Sequence, residues 1–271
     1  MNLASPAQIK AWCAENGFHP NRTLGQNFLI DRNTLVAIAD AAFEGLGETA
    51  GKRVLEVGPG LGALTEELLA RGASVTAVEK DRVLAERLPG ALGNPPALET
   101  VAGDALAYVE RGCRGCEFDL MASNLPYQCG TRILIELVKA RKIPSMTVLV
   151  QTEVAERLAA REGSKTRGLA GVWAQLDYDV RILRKVAPTC FWPRPAVGSA
   201  VVRLDRHFRN EDLGEDGRRI FRRITKMAFA QRRKQLGNSL KDLVKSTARA
   251  EELSNEEWSE LTKGLMKNED S

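Results

Sequence analysis

The tetrapeptide Asn124-Leu125-Pro126-Tyr127 combines residue types that can hold a planar amine beside a reactive group. Pro126 lacks a backbone N–H and restricts the turn, so the Asn124 amide oxygen and the Leu125 carbonyl oxygen remain as hydrogen-bond acceptors. Two acceptors on one exocyclic amine would orient its lone pair, and the flat Tyr127 ring could stack on the attached base. The pattern favours methyl transfer to a base nitrogen through orientation and electrostatics. A tight Asn-x-Pro turn without chemistry is the alternative.

A glycine-rich turn is the second candidate. Gly58, Gly60 and Gly62 follow the apolar run Val54–Val57 and precede an amphipathic stretch, Leu64–Ala70. Strand, glycine turn and helix form the element with which α/β folds approach nucleotides, because glycine lets the backbone lie against a ligand. The G-x-G-x-G spacing departs from the dinucleotide fingerprint and favours an adenosyl cofactor, with dinucleotide binding and a structural turn as alternatives.

Two acidic residues follow the next predicted strands. Glu79 ends one apolar run about 20 residues after the glycine turn, where an acid meets ribose hydroxyls in such folds. Asp104 follows the next strand, and its carboxylate could accept from an adenine amino group or cap the helix after it. Because ligands in open α/β sheets bind at the carboxyl ends of the strands, these residues should lie beside Asn124–Tyr127.

An alternation of strands and helices should position these residues. Strands are predicted at Arg53–Val57, Ser74–Glu79, Leu98–Ala102, Phe118–Ser123 and Met146–Gln151. Helices such as Arg82–Leu88 and Arg132–Ala140 fill the gaps, so we expect a parallel, doubly wound α/β sheet covered on both faces. Tyr178–Val186 and Ser199–Leu204 are joined by a proline-rich loop and should add an antiparallel pair at one edge.

Helices are predicted on both sides of this region. Two precede it, at Ser5–Glu15 and Asp31–Phe43, with the irregular segment Leu24–Leu29 between them. Three more follow it, at Gly217–Ala230, Lys234–Val244 and Asn255–Met266. The pattern predicts two domains, a sheet domain over residues 1–205 and a small helical domain over residues 206–271.

Charge is unevenly distributed along the 271 residues. Arg206–Ala250 contains 13 Lys and Arg against 5 Asp and Glu, whereas the remainder contains 26 against 30. A basic end on a mildly acidic body indicates a polyanionic partner, with a solvated helical face as the alternative. The sequence has neither a membrane-spanning apolar run nor a signal-peptide pattern, so we expect no membrane association and a cytoplasmic protein.

The five cysteines, an odd number, are typical of a reducing compartment. Cys113-Arg114-Gly115-Cys116 is a single C-x-x-C, and a zinc site would need two further ligands. We therefore expect surface thiols and no bound metal, with a metal or redox role as the alternative.

Four motifs together resemble a known family. Gln26–Leu29, Glu56–Gly62, Asn124–Tyr127 and Phe191–Val197 occur in the order and at the spacing of the rRNA adenine N6-dimethyltransferases. The resemblance covers roughly residues 24–240. The Gln231–Leu240 region is similar to the small-subunit branch rather than to the erythromycin-resistance enzymes of the large-subunit branch. A non-catalytic RNA-binding assembly factor on the same fold and a dinucleotide oxidoreductase are more distant alternatives.

The resemblance implies a Rossmann-like class I methyltransferase fold that uses S-adenosyl-L-methionine. Asn27 and Leu29 would flank the cofactor, and Gly58 would lie beneath its methionine part. Glu79 would bind the ribose hydroxyls and Asp104 the adenine amine. The residues implied at the cofactor, with the glycine turn, are Asn27, Leu29, Gly58, Gly60, Glu79, Asp104 and Asn124.

The same resemblance implies the RNA substrate. Asn124 would also contact the target amine, and Tyr127 and Phe191 would sandwich a flipped adenine, although Phe191 could instead pack between the two domains. The substrate would be two adjacent adenosines in the 3′-terminal hairpin loop of small-subunit (16S) rRNA, each methylated twice by a monomer on an assembling particle. Trp192 and Arg194 could contact RNA or pack. Where many members continue Asn-Ile-Ser/Thr, this chain has Gln128–Thr131, which should loosen the start of the next helix.

Overall fold

The computed structural model describes residues 5–113, 117–240, 243–244 and 246–269. These residues form two compact units. The first runs to Ala155 and resumes over Arg181–Asp205, and the second comprises Glu156–Val180 and the chain after Asp205. The predicted boundary at residue 205 therefore coincides with one division point, but the helical unit also takes a segment from the middle of the chain.

A seven-stranded sheet forms the centre of the first unit. Its strands are β2 (Arg53–Val57), β3 (Ser74–Glu79), β4 (Leu98–Ala102), β5 (Leu120–Asn124), β6 (Ser145–Gln151), β7 (Tyr178–Val186) and β9 (Ser199–Arg206). They lie in the order β4-β3-β2-β5-β6-β9-β7. Neighbours from β4 to β6 are parallel, whereas β9 runs antiparallel to β6. The predicted fold class, a mostly parallel sheet with an antiparallel edge, is confirmed.

Eleven α-helices occur in the described part of the chain. They are α1 (Pro6–Glu15), α2 (Arg32–Phe43), α3 (Ala63–Ala70), α4 (Arg82–Ala91), α5 (Ala105–Glu110), α6 (Gly130–Ala140), α7 (Thr152–Ala159), α8 (Leu169–Asp177), α9 (Gly214–Ala230), α10 (Leu236–Ser239) and α11 (Asn255–Glu269). Asp31, Asp81 and Asp104 precede α2, α4 and α5, and each carboxylate accepts backbone N–H groups of the helix it caps.

The first unit is built around apolar strands covered by helices. Val54, Ala77, Leu120 and Leu149, from β2, β3, β5 and β6, are almost fully buried in one cluster. Helices α2 and α3 supply further members of this core, such as Leu35, Ile38, Leu64 and Leu68. Strands buried in this way explain the near-continuous apolar runs in the sequence, since a parallel sheet is covered on both faces.

A second, two-stranded sheet joins two segments that are distant in sequence. Strand β1 (Phe28–Leu29) pairs antiparallel with β8 (Phe191–Trp192), with Leu29 opposite Phe191. The Phe28 and Trp192 rings stack with centroids 6.4 Å apart. Leu24–Leu29 is therefore partly strand rather than wholly irregular, because tertiary pairing orders residues that have no periodicity of their own.

The second unit is a helical assembly with its own core. Val172 of α8, Phe221 and Ile224 of α9, and Trp258 of α11 are each completely buried there. A buried ion pair joins two of these helices, since Nη2 of Arg218 donates to Oδ1 of Asp177 at 2.8 Å.

One predicted helix is wrong in extent. Lys234–Val244 was expected to be helical, but only α10 is, and residues 241 and 242 lie outside the described part. The backbone N–H groups of Leu236 and Gly237 donate to the carbonyl oxygens of Ala248 and Ser246. A returning segment thus supplies acceptors to the first turn of α10, and local periodicity does not reveal this contact between segments. Helices α7 and α8 were not predicted individually.

Cys113 is buried, so it is not the surface thiol that the sequence suggested. Cys116, its partner in the C-x-x-C motif, lies outside the described residues. Within the described ranges we find neither a cluster of His, Cys, Asp and Glu able to hold a metal nor a helix long and apolar enough to cross a membrane.

Candidate active site

A cavity lies at the carboxyl ends of strands β2 to β5. Ten of the eleven predicted site residues line it: Asn27, Leu29, Gly58, Gly60, Glu79, Asp104, Asn124, Leu125, Pro126 and Tyr127. The topology explains this convergence, because parallel strands bring the residues that follow them to one edge of the sheet. Phe191, the eleventh residue, contacts this set through the ring of Tyr127.

The glycine turn needs both its backbone conformation and its lack of side chains. Gly60 and Gly62 have φ values of 59° and 92°, in the left-handed region that favours glycine. A β-carbon on Gly60 would lie 3.0 Å from the Phe28 ring, and one on Gly62 would lie 2.5 Å from a methyl group of Leu88. The turn is thus closely covered by β1 and α4, and larger residues would displace one of them.

Two acidic side chains flank the glycine turn. Glu56 on β2 is 1% exposed and accepts a hydrogen bond from the Thr65 hydroxyl at 2.7 Å. Burial raises the pKa of Glu56 to about 8, an effect that the Thr65 bond opposes and the nearby charge of Glu79 assists. Burial also raises the pKa of Glu79, whose two oxygens accept from the N–H groups of Gly60 and Asp81. Glu79 is therefore held in one orientation at the cavity wall.

The Asp104 carboxylate accepts one hydrogen bond from the helix that follows it and one from a lysine side chain. One carboxylate oxygen accepts from the backbone N–H of Leu106 at 2.9 Å, which is the predicted helix cap. The other accepts from the Lys80 ammonium at 2.8 Å, and this bond holds the pKa of Asp104 below its usual range. Lys80, which directly follows Glu79, also lines the cavity and was not predicted as a site residue.

The segment before β1 is held against the cavity by side-chain bonds. Gln26 donates to Asp81 at 2.9 Å, and Asn27 donates through its side chain to the Gly25 carbonyl at 3.1 Å. The backbone carbonyl of Asn27 then accepts from Nδ2 of Asn124 at 3.1 Å. Because the nitrogen end of the Asn124 amide is engaged there, Oδ1 is the end left to receive a donor from the cavity.

The Tyr127 ring is fixed at two points. Its hydroxyl lies 2.5 Å from the hydroxyl of Ser199, the first residue of β9. Its ring meets Phe191 edge to face, with centroids 6.3 Å apart and planes inclined by 67°. Phe191 is 3% exposed and belongs to the first unit's core. A base held between parallel rings would require one of the two rings to turn.

The departure at Gln128–Thr131 has a packing explanation. Helix α6 begins at Gly130, and Cys129 before it makes no side-chain cap. A β-carbon on Gly130 would lie 2.8 Å from the β-carbon of Leu125, so glycine allows this close turn. Beyond Phe191, Trp192 packs on Phe28 and Arg194 is exposed.

These residues fit an adenosyl cofactor. The glycine turn offers backbone without side chains, Glu79 offers a carboxylate for ribose hydroxyls, and Asp104 offers one for an amine. Hydrophobic side chains such as Leu29 and Leu35 line the same cavity. The dinucleotide fingerprint is absent from the turn, so no pyrophosphate site is indicated.

A second candidate surface lies on the helical unit. Five basic side chains on α9 and the turn after it are exposed: Arg219, Arg223, Lys226, Arg233 and Lys234. The first three follow helical spacing and so share one face. Arg232 differs from its neighbours, because it donates to the Lys165 carbonyl at 2.7 Å and lies 3.5 Å from Glu251. Arg218 and Arg232 thus stabilise the unit, and the exposed five can meet a polyanion.

Comparison with known proteins identifies a family and close relatives. The sequence model of the ribosomal RNA adenine dimethylases matches residues 17–266. The ribosomal RNA small subunit methyltransferase A of Deinococcus radiodurans is 44% identical over 75% of this chain and 67% of its own length. The protein of the same name from Chlamydia abortus is 39% identical over 97% of this chain and 93% of its own.

Solved structures show the same fold. A dimethyladenosine transferase from Plasmodium falciparum superposes with a TM-score of 0.74 at 20% identity, covering 87% of this chain and 96% of its own. The 23S rRNA methyltransferase ErmE superposes with a TM-score of 0.67 at 26% identity, covering 89% of this chain and all of its own. Both contain the class I methyltransferase fold that the cavity and strand order indicate.

Proposed function

Since this chain belongs to the ribosomal RNA adenine dimethylase family and is an rRNA adenine dimethyltransferase, we propose that its substrate is small-subunit (16S) rRNA. The targets are two adjacent adenosines in the 3′-terminal hairpin loop, and each receives two methyl groups on N6. The enzyme acts as a monomer in the cytoplasm, on an assembling ribosomal particle.

The choice of subunit depends on the relatives. Curated small-subunit methyltransferases are 39–44% identical to this chain, whereas the large-subunit methyltransferase ErmE is 26% identical. The same branch is favoured by the Gln231–Leu240 sequence. A large-subunit specificity, which would use the same chemistry, is the alternative that the experiment below distinguishes.

S-adenosylmethionine supplies the methyl group, which it carries on a sulfonium ion. In this proposal Glu79 accepts from the ribose hydroxyls and Asp104 from the adenine amine, with Lys80 keeping Asp104 ionised. The backbone at Gly58 and Gly60 lies against the methionine part. Each of these residues lines the cavity, which is the support for placing the cofactor there.

The target amine is held by the last residue of β5 and the turn that follows it. Oδ1 of Asn124 and the carbonyl oxygen of Leu125 accept from its two N–H groups, which directs the lone pair toward the methyl donor. Tyr127 stacks on the adenine after the base has left the RNA stack. The single observation that carries this assignment is the bond from Asn124 Nδ2 to the Asn27 carbonyl, because it orients the acceptor end of the amide.

RNA phosphates are bound by the exposed basic residues of the helical unit. Arg219, Arg223 and Lys226 present their charges on one face of α9, and Arg233 and Lys234 follow directly. Phosphate contacts of this kind give affinity and register without reading the sequence. In this proposal, the cavity at the sheet edge selects the adenosines.

Methylation assays on separated subunits test the proposal. The purified protein and methyl-labelled S-adenosylmethionine are incubated with undermodified small subunits and, separately, with large subunits, and the labelled nucleotides are mapped. Label in two adjacent adenosines of the small subunit is expected. Label confined to the large subunit would assign the enzyme to the other branch, and cofactor binding without turnover would indicate a non-catalytic factor.

A further inference from the structure

The hydroxyl of Tyr127 points away from the surface, toward the sheet. It lies 2.5 Å from Oγ of Ser199, within the range of a hydroxyl–hydroxyl hydrogen bond. Ser199 is completely buried and Tyr127 is half-buried, and burial raises the pKa of Tyr127, so its hydroxyl stays protonated. The bond connects positions 72 residues apart in sequence.

The sheet topology explains why Ser199 reaches Tyr127. Strand β9 runs antiparallel to β6, with Ser199 opposite Gln151, the last residue of β6. An antiparallel strand therefore starts at the edge where the parallel strands end. Asn124, the last residue of β5, is opposite Leu149 on the other side of β6. The first residue of β9 thus meets the turn that follows β5.

Two contacts together restrict the Tyr127 ring. The Ser199 hydroxyl bonds to the Tyr127 hydroxyl, and the Phe191 and Tyr127 rings meet edge to face at a centroid distance of 6.3 Å. The hydroxyl oxygen lies on the axis of the second side-chain bond, so the Ser199 bond fixes the position of the ring, and the Phe191 contact limits its rotation about that axis. Stacking needs a defined plane, since a base slides away from a ring that tilts.

We propose that Ser199 is a positioning residue for the methyl-transfer reaction and that, together with Phe191, it holds the Tyr127 ring where the target base stacks. The inference rests on the proposed function, because it assigns Tyr127 to the base. Ser199 itself touches neither cofactor nor RNA, and its effect passes through the Tyr127 hydroxyl.

A double-mutant cycle with Ser199→Ala and Tyr127→Phe tests the proposal. Each change breaks the same bond, so each should lower kcat about tenfold with little change in RNA affinity. The double variant should be no slower than either single variant, because the second change removes nothing further. Ser145→Ala is the matched control: its hydroxyl bonds Asp205 at the opposite end of β6, and wild-type turnover is expected.

A spectroscopic readout separates positioning from general destabilisation. The chain has only three tyrosines, Tyr108, Tyr127 and Tyr178, so 3-fluorotyrosine labelling gives three 19F resonances, and Tyr127→Phe identifies one of them. Ser199→Ala should move the Tyr127 resonance and leave the other two in place. This measurement needs no turnover and remains informative if the wild type proves not to methylate small-subunit rRNA, which would refute the proposed function alone.

Several results would overturn the inference. Wild-type kcat in Ser199→Ala would show that the bond does not serve the reaction. If the two single variants each lower kcat and the double variant lowers it by the product of the two factors, Ser199 acts without Tyr127. Movement of all three resonances together with a lower melting temperature would assign Ser199 a purely structural role.

Discussion

The polar side chains at the carboxyl edge of the sheet and those on the exposed face of α9 differ in their burial and in their hydrogen bonding. At the sheet edge, Glu56 and Glu79 are 1% and 7% exposed, and each accepts hydrogen bonds from the protein itself. On α9, Lys226 is exposed to solvent, and so is Arg219, whose guanidinium lies 3.0 Å from Asp216 on the same helix. One region buries a few acidic groups within the protein, and the other displays several cations at the surface.

The difference follows from what each region binds. A reacting amine must be placed to within a fraction of an ångström, so its partners are held by backbone and buried bonds. A phosphate backbone offers a charge at every nucleotide, and mobile cations can meet it in many arrangements. Single substitutions should therefore be severe at the sheet edge and mild on α9.

Phe191→Ala should have the largest effect on the free energy of unfolding. Phe191 is 3% exposed in the core of the first unit, and truncating a buried phenylalanine costs about 3–5 kcal/mol. We expect a melting temperature lower by roughly 10 °C, measured by thermal denaturation. Phe208→Ala, at a phenylalanine that is 69% exposed, is the matched control and should melt like the wild type.

The same variant also tests the role of Phe191 at the substrate. If Phe191 only packs, turnover measured well below the melting temperature should equal the wild-type value. If it also stacks on the base, turnover should fall while S-adenosylmethionine binding is retained, because stacking on one ring is worth about 1–3 kcal/mol. An unchanged melting temperature would contradict the core assignment.

Asn124→Ala should reduce kcat by about 10²–10³-fold, a much larger change than its effect on RNA affinity. It removes an acceptor aimed at the reacting amine, and losses of this size are typical for groups that act in the transition state. Single-turnover kinetics with saturating RNA measures the effect. Asn33→Ala, at an exposed position of α2, controls for the loss of an amide, and equal rates in both variants would remove Asn124 from the mechanism.

Much of the site could be predicted from the sequence because its signals are local. Glu79 and Asp104 each follow an apolar run, and the end of a run marks the edge of the sheet. The glycine turn and the Asn124–Tyr127 turn are recognisable from residue types alone. Together with the strand–helix alternation, these signals are sufficient for the fold class and for placing both turns and both carboxylates at one cavity.

The features of the fold and the site that the sequence does not predict depend on contacts between segments that are distant in the chain. The pairing of Leu29 with Phe191 involves strands of two residues each, too short for any periodicity. The bond from Tyr127 to Ser199 joins positions 72 residues apart, and a serine at the start of a strand carries no signal of its own. Helix α10 is shorter than predicted, and the returning segment that bonds to its first turn gives no signal in the local sequence.

Glu79→Ala should weaken S-adenosylmethionine binding about tenfold or more with the fold intact. A hydrogen bond to a charged group contributes roughly 1.5–3 kcal/mol, and in our proposal Glu79 makes such bonds to the ribose. Isothermal calorimetry measures the affinity. Glu99→Ala, at an exposed glutamate on neighbouring β4, is the control, and unchanged affinity in Glu79→Ala would exclude Glu79 from the cofactor site.

Lys226→Ala should produce the smallest effect, a uniform weakening of RNA binding. One phosphate contact contributes about one unit to the slope of log affinity against log salt, so this slope should become shallower by about one. Replacing Lys226, Arg233 and Lys234 together should reduce it by about three. Turnover at saturating RNA should stay unchanged, in contrast to Asn124→Ala.

The control for charge alone is a triple replacement in the first unit. Arg53, Arg82 and Arg111 are exposed there, and their removal lowers the net charge by the same amount. If the basic face of the second unit binds phosphates, only the Lys226, Arg233 and Lys234 variant should have a shallower slope, because counterions are released only where charges meet RNA. Equal slopes in the two triple variants would show that these cations form a solvated face. A tenfold loss of kcat from Lys226→Ala alone would remove the distinction between the two regions, since an exposed cation would then be as individually important as the Asn124 amide at the sheet edge.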